Sequence, residues 1–438
     1  MQIRTPKRYQ GMQRRSVFSC GRFFISLIMV TLILIGVGIY YNRDLIQPTA
    51  DRIIGSALNS IEARAATQMA PLPTATPDPS VNLVNGGNAW ERGNITDAVG
   101  FYEQIIASVP NDVMVYQRMT VGLLTRGEVQ EALDYAEHTV TADPFSPDAW
   151  ATRSLLMSWQ NDYQQGIASA LQALDFDKDH AQAKAFLAYG YWGAGQVELA
   201  SSRADEAIAL DPDRWEGYWV RGLIRENSLL DITGALDDFG RAFTLASEQN
   251  PAMAGITVSG MARILVRPEY RNYDRAVELL EQMRSLDPDN RAVLYTLGEV
   301  QFRYRGDYGQ ALSPLTECTR INPQDYDCQY LLGRTYNSLD NTDAALLAFE
   351  AAIEAGSPWA RHYWWAANMY IAEGKCSEAT PLLQTGFRMA QLGDLPADDE
   401  GADDLITEAF PALMSTCRVS FGDGNAPLQT PTEATEEG

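Results

Sequence analysis

The sequence predicts an all-α protein: a solenoid of about nine helix pairs with a C-terminal capping helix, preceded by one transmembrane helix. Three observations predict it. Small residues recur at helical spacing with a period near 34 residues. Each period holds two amphipathic patterns, the content of one helix pair. One uncharged apolar run near the N-terminus matches the thickness of a bilayer core.

The apolar run comes first in the chain. Residues 23–41 carry no charge, and nineteen helical residues span roughly 28 Å. Arg4, Lys7, Arg8, Arg14, Arg15 and Arg22 precede the run, and Tyr40 and Tyr41 close it. The positive-inside rule therefore puts residues 1–22 in the cytoplasm and the remainder across the membrane. A cleaved signal peptide is the rival, but the run is long and no small-x-small site follows closely. Residues 42–81 form a juxtamembrane stalk and a Pro/Thr linker, "APLPTATPDPS", which cannot pack a core. Residues 82–392 hold the repeats, 393–418 the capping helix with Pro411 starting or kinking it, and 419–438 an acidic Thr/Pro-rich tail.

Charge narrows the partners. The chain carries a formal −23, yet residues 1–43 hold seven Lys or Arg and no Asp or Glu. The rest thus has 27 basic and 57 acidic residues (34 less seven, against 57), which repels nucleic-acid phosphates and favours basic partners.

The repeat is anchored on "GAGQVELASSRADEAIALDP" (193–212), where Gly195, Ala200, Ala204, Ala207 and Pro212 set a template. It recurs as Gly127, Ala132, Ala136, Thr139, Pro144; as Gly93, Ala98, Tyr102, Ile105, Pro110; and as Gly306, Ala311, Leu315, Cys318, Pro323. Weaker copies open at Asn161 and Asp340. Small residues three and four apart let another helix approach closely. A preceding helix in each period carries a large residue and then apolar ones, as in Tyr116, Met119, Leu123.

These offsets resemble the tetratricopeptide repeat. Residues 326–359 match through Leu332, Gly333, Tyr336, Ala345, Phe349 and Ala352, with Pro358 one place late; residues 181–214 match through Leu187, Ala188, Tyr191, Gly195, Ala200, Ala204, Ala207 and Pro212. Repeats start near 79, 113, 147, 181, 215, 252, 291, 326 and 360. The departures are Arg153 and Arg221 at a usually apolar position, Lys184 at a bulky one, an extra residue before Ala235 and an insertion at 267–273. The resemblance implies a right-handed α-solenoid whose first helices line a concave groove. The groove positions here hold Trp159, Tyr189, Trp192, Trp219, Tyr295, Phe302, Tyr330 and Trp364. Trp159, Trp192 and Trp219 would form an open ladder, while Trp150, Tyr218 and Tyr363 fall at packing positions and should be core. Each aromatic singly is more often core than contact; their number at groove positions suits extended peptides, Pro-rich segments or sugar rings.

No residues assemble an active site in the sequence. His138, His180 and His362 lie in different repeats, "GYWGAG" follows no strand, and "DFDKD" lacks calcium-loop spacing, so no catalytic residue, metal or cofactor is expected. Asn94-Ile95-Thr96 is a glycosylation sequon, informative only in a host that uses it. Cys20 lies in the basic segment, while Cys318, Cys328, Cys376 and Cys417 lie in the repeat domain. Cys318 and Cys328 stand five residues either side of Pro323, level on antiparallel helices; Cys417 ends the helix expected to fold back along the one Cys376 opens. Bridges 318–328 and 376–417 are expected in an exported domain, and four buried free thiols are the alternative. The expected function is a membrane-anchored scaffold, not an enzyme, with its repeats outside the cytoplasm, holding a basic or Pro-rich protein or peptide. A glycan or cell-wall binder, or an accessory subunit of an envelope or secretion complex, are the alternatives.

Overall fold

The computed structural model describes residues 79–392 and 405–418. The expected cytoplasmic tail 1–22, membrane helix 23–41, most of the stalk and linker, and the acidic tail 419–438 lie outside the described residues. Among those described, no helix is long and apolar enough to cross a membrane.

The described chain is nineteen α-helices without a strand, and they pair in order. The first helices of the pairs are α1 Pro79–Glu91, α3 Val113–Arg126, α5 Pro147–Trp159, α7 Ala181–Gly193, α9 Trp215–Ile224, α11 Pro251–Leu265, α13 Arg291–Glu299, α15 Tyr326–Ser338 and α17 Ala360–Ala372. Their partners are α2 Ile95–Glu103, α4 Val129–Ala142, α6 Tyr163–Phe176, α8 Val197–Leu210, α10 Ile232–Gln249, α12 Tyr273–Leu286, α14 Tyr308–Ile321, α16 Thr342–Glu354 and α18 Cys376–Leu392. The capping helix is α19, Phe410–Thr416, which continues directly from a π-turn at Leu405–Ala409, with Pro411 just after the junction.

Local chemistry sets each joint. The first template position is the turn between the two helices of a pair, and there the backbone is left-handed: φ is 78° at Gly93, 84° at Gly127, 66° at Asn161, 74° at Gly195 and 58° at Asp340. Glycine adopts that region without strain and Asn or Asp tolerates it, which explains the template's residue types. The following residues Asn94, Asp162, Asp307 and Asn341 accept a hydrogen bond from the third residue of the next helix, capping it. Asn94 of the sequon is thus an N-cap, and Thr96 is also engaged, its hydroxyl donating to Asp289 at 2.7 Å.

The small template residues are fully buried: Ala132, Ala136, Ala200 and Ala204 expose nothing. The close approach is reciprocal. A Cβ added to Gly298 would lie 2.5 Å from Leu315, and one at Gly333 2.7 Å from Phe349, so glycine on the first helix admits the bulky side chain of the second. The departures from the pattern have local explanations too. The extra residue before Ala235 is taken up by a π-turn at Arg225–Leu229, and Val300–Arg305 makes the same adjustment. Arg153 donates to Glu137 and Ser169; Arg221 donates to Asp205 and, bidentately, to Asp238. Each arginine thereby ties its own pair to the preceding one. The insertion at 267–273 turns back on the fifth pair: Arg267 reaches the buried Glu226 at 3.3 Å.

The array closes on itself. Helices α1 and α3 pack against α11, and α3 also meets α13. Asn322 donates to the Gly127 carbonyl at 2.9 Å, and Thr96 reaches Asp289, across sequence gaps of 195 and 193 residues. Helix α11 lies between its own neighbours and the first pairs, and is buried nearly all round: Met253, Ala254, Val258, Ala262 and Ile264 are inaccessible or almost so. Its sequence, PAMAGITVSGMARIL, has one charged residue, as burial on every side requires.

Candidate functional site

Closure divides the predicted groove aromatics into two groups. The first is interior. Trp219 is 2% exposed, against the expectation of an open ladder. Its indole stacks on Trp159 with centroids 6.3 Å apart, and Tyr189 packs against both at 5.1 and 6.4 Å. Tyr189 in turn stacks on Trp192, whose indole N–H donates to Ser228. Trp159, Tyr189 and Trp192 are half-buried, and Trp159 also lines a recess of about 340 Å³ with Ile256, Arg291 and Asp325. Burial pushes the Tyr189 phenol well up. Trp219 is consequently not part of an open ladder, while Trp159 and Trp192 keep partial access.

The packing-position residues also differ from expectation. Trp150, Tyr218 and Tyr363 are half-buried rather than core. Trp150 donates its indole N–H to the Pro144 carbonyl, Tyr218 its hydroxyl to the Pro212 carbonyl, and Gln329 its amide to the Pro323 carbonyl. All three reach back six residues, so this position straps the turn between successive pairs. The fully buried tryptophans are Trp215 and Trp219.

The second group, Tyr295, Phe302, Tyr330 and Trp364, belongs to the last three pairs. A recess of about 270 Å³ opens there, lined by Tyr295, Glu299 and Arg303 from the seventh pair, Asp327 and Tyr330 from the eighth, and Trp359 and His362 beside α17. Tyr330 stacks face to face on His362 at 3.9 Å. Next to it, Arg334 lies over Trp365 at 4.2 Å and over Phe302 at 5.4 Å, and donates to the Tyr330 hydroxyl. Phe302 and Tyr330 are nearly buried, Tyr295 and Trp364 half-buried. Trp364 turns its indole N–H into a buried place without a partner.

The charges around the recess are held in place. Arg291 forms a bidentate pair with Asp325 at 2.5 and 3.0 Å and also reaches Asp327 at 3.2 Å. Burial pushes the Asp325 carboxyl up, but Arg291 overrides it and holds the group below its ordinary value. Asp327, farther from the guanidinium, keeps a raised value because burial dominates. Arg303 pairs with Glu299 at 3.0 Å. Burial drives His362 down to about 3, so the ring is neutral, and its Nδ1 bonds the Ser357 hydroxyl at 2.7 Å. Flat aromatic faces beside fixed charges of both signs suit an extended peptide. The other histidines stand elsewhere: the His180 Nδ1 caps α7 while its Nε2 donates to Asp148, and His138 lies beside Tyr116.

The cysteines are paired in the structure: Cys318 with Cys328, and Cys376 with Cys417, whose Cα atoms lie 6.1 and 5.4 Å apart. Sequence reasoning missed the closure, and with it the burial of the Trp219 stack. The signal available is α11, with one charged residue in fifteen, and it is weak because α7 is as sparing of charge.

The chain carries repeats of tetratricopeptide type. Residues 269–352 match the family model described as anaphase-promoting complex, cyclosome, subunit 3. The chain is 22% identical over 222 residues to anaphase-promoting complex subunit 3 of Schizosaccharomyces pombe, covering 50% of this chain and 32% of that protein. It is 24% identical over 336 residues to mouse superkiller complex protein 3, covering 75% and 21%. It thus spans less than a third of the length of either relative. The crystal structure of the APC/C hetero-tetramer Cut9–Hcn1 is similar in fold, with a TM-score of 0.54 and 14% identity over 72% of this chain and 59% of that one.

Proposed function

We propose that the chain is a membrane-anchored scaffold that binds a protein or peptide on the concave side of its last three pairs. The observation that carries the proposal is the recess between Tyr295 and His362, where aromatic faces and fixed ion pairs line a surface that the closing contact leaves open. The proposal places the site away from the Trp159–Trp219 stack, where Trp219 is buried. Residues 23–41 anchor it, and the basic flank before them sets the repeats outside the cytoplasm. Two cystine bridges suit an oxidising compartment. The rigid groove limits the entropy lost on binding.

The test is a photo-crosslinking amino acid placed at Glu299 or Trp359 in intact cells, with one at the exposed Leu347 as control. A partner should crosslink from the two recess positions and not from Leu347, and Arg303→Glu should abolish the product. Equal crosslinking from all three positions would remove the recess as the site.

A further inference from the structure

The second pair carries a recess that shares no residue with the one above. It has a volume of about 310 Å³ and lies between the 3-10 turn Ile106–Ser108 and helices α3 and α4. Its walls are Tyr116, Tyr135 and His138, with Ile106 as an apolar edge, and Glu131 and Asp134 stand at its rim. Tyr116 and Tyr135 have centroids 6.2 Å apart and planes 40° apart, which makes an open corner of two rings; His138 extends the Tyr116 side at 5.8 Å.

Two features mark this recess. Tyr116 is only 8% exposed and lines the cavity, yet its hydroxyl has no hydrogen-bond partner among the described residues. Glu131 and Asp134 are exposed and likewise lack a cationic partner there, although this chain pairs carboxylates with arginine at Glu137, Asp205, Glu216, Asp238 and Asp325. The nearby arginines are engaged elsewhere: Arg126 pairs with Glu128, and Arg118 lies over Trp90 and donates to Tyr102. Burial, and after it the charges of Glu131 and Glu103, push the Tyr135 phenol up, so the ring stays a neutral, electron-rich face.

We propose that this recess binds an organic cation, its positive end between the Glu131 and Asp134 carboxylates and its alkyl surface on the Tyr116 and Tyr135 rings. Ring faces attract a cation through their quadrupole, and the two carboxylates at the rim add to it. The volume, at the low end for ligand sites, admits a side-chain terminus or a small quaternary amine rather than a larger molecule. The cation has two sources: a lysine or arginine of a basic partner, or a free trimethylammonium compound.

Isothermal titration of the full chain tests the proposal with three probes: choline, Nα-acetyl-arginine amide, and 3,3-dimethylbutan-1-ol as a neutral match to choline. At least one cation should bind saturably, the neutral alcohol about tenfold more weakly or not at all, and the double variant E131Q/D134N should weaken the cation by about tenfold. Both substitutions are at exposed positions and keep shape, so the melting temperature should not move. Binding of choline alone indicates a free quaternary amine, and binding of the arginine amide alone a basic side chain. No saturable binding of either cation, alcohol binding as tight as choline, or unchanged binding by E131Q/D134N would each overturn it.

Discussion

Two tryptophans, Trp150 in the third pair and Trp219 in the fifth, illustrate how position decides energy. Trp219 touches Trp159, Tyr189 and Trp215 and is 2% exposed, so Trp219→Ala should destabilise by about 3–5 kcal/mol. Trp150→Ala removes a half-buried ring and one hydrogen bond, and should cost about 1–2 kcal/mol. Denaturant unfolding of the two variants checks the order; an equal loss would contradict the burial. Two buried ionisable groups should shape the pH dependence in opposite senses. His362 falls from 6.5 to about 3, so the unfolded chain takes up a proton that the folded one refuses, and stability is lost as pH falls below about 6.5. Asp287 rises from 3.8 to about 7 through burial, against the hydrogen bond from Asn290 and the weaker pull of Arg126. It imposes no penalty below its unfolded value and the full penalty once pH has risen through about 7. Asp287→Asn should therefore raise the melting temperature at about pH 8 and leave it unchanged near pH 4. A uniform shift at both values would refute this.

At the scale of elements, much was legible because the signals are local. Left-handed turns need Gly, Asn or Asp, and close helix contacts need Ala or Gly, so the template residues mark both the joints and the packed faces. The strap by Trp150 and Tyr218 was not legible, since a large residue at a packing position reads the same whether it is enclosed or lies along a turn. The recess aromatics were legible as first-helix positions, but which of them stay accessible depends on pairs far away in sequence. The cap is tied by Cys376–Cys417, which spans 41 residues from the start of α18 to the end of α19. Replacing both cysteines by serine should reduce stability by about 2–4 kcal/mol and free α19, where Phe410 and Met414 are buried, to exchange its amides faster. Peptide mapping without reductant should recover 318–328 and 376–417 linked; four alkylatable thiols in protein from its native compartment would contradict both bridges and weaken the proposed location.

At the scale of the molecule, the closing contact sets this array apart from an open solenoid, where each pair depends only on its neighbours. Thr96→Val with Asn322→Ala removes two hydrogen bonds between the first pairs and the seventh. The double variant should lower stability by about 1–3 kcal/mol and speed amide exchange in α11, which contains neither site. Exchange confined to the neighbourhoods of residues 96 and 322 would mean that the contact is incidental. The orientation across a membrane is tested separately. Protease added outside cells, past any outer barrier, should digest the chain after Asp44 and leave Cys20 shielded from impermeant thiol reagents; a protected repeat domain would reverse the proposed topology.

The closing contact also imposes a schedule on synthesis. The early helix pairs can fold as they leave the ribosome, since each meets its partner within a few tens of residues. Helix α11 cannot be satisfied by its own neighbours, because one of its apolar sides is covered by α1 and α3, which were made more than a hundred residues earlier. The sides of α1 and α3 that it covers therefore face solvent or a chaperone from their own emergence until residues 251–265 are made. The interval in which this interface stays open thus spans the synthesis of the third to fifth pairs and closes only once α11 has emerged.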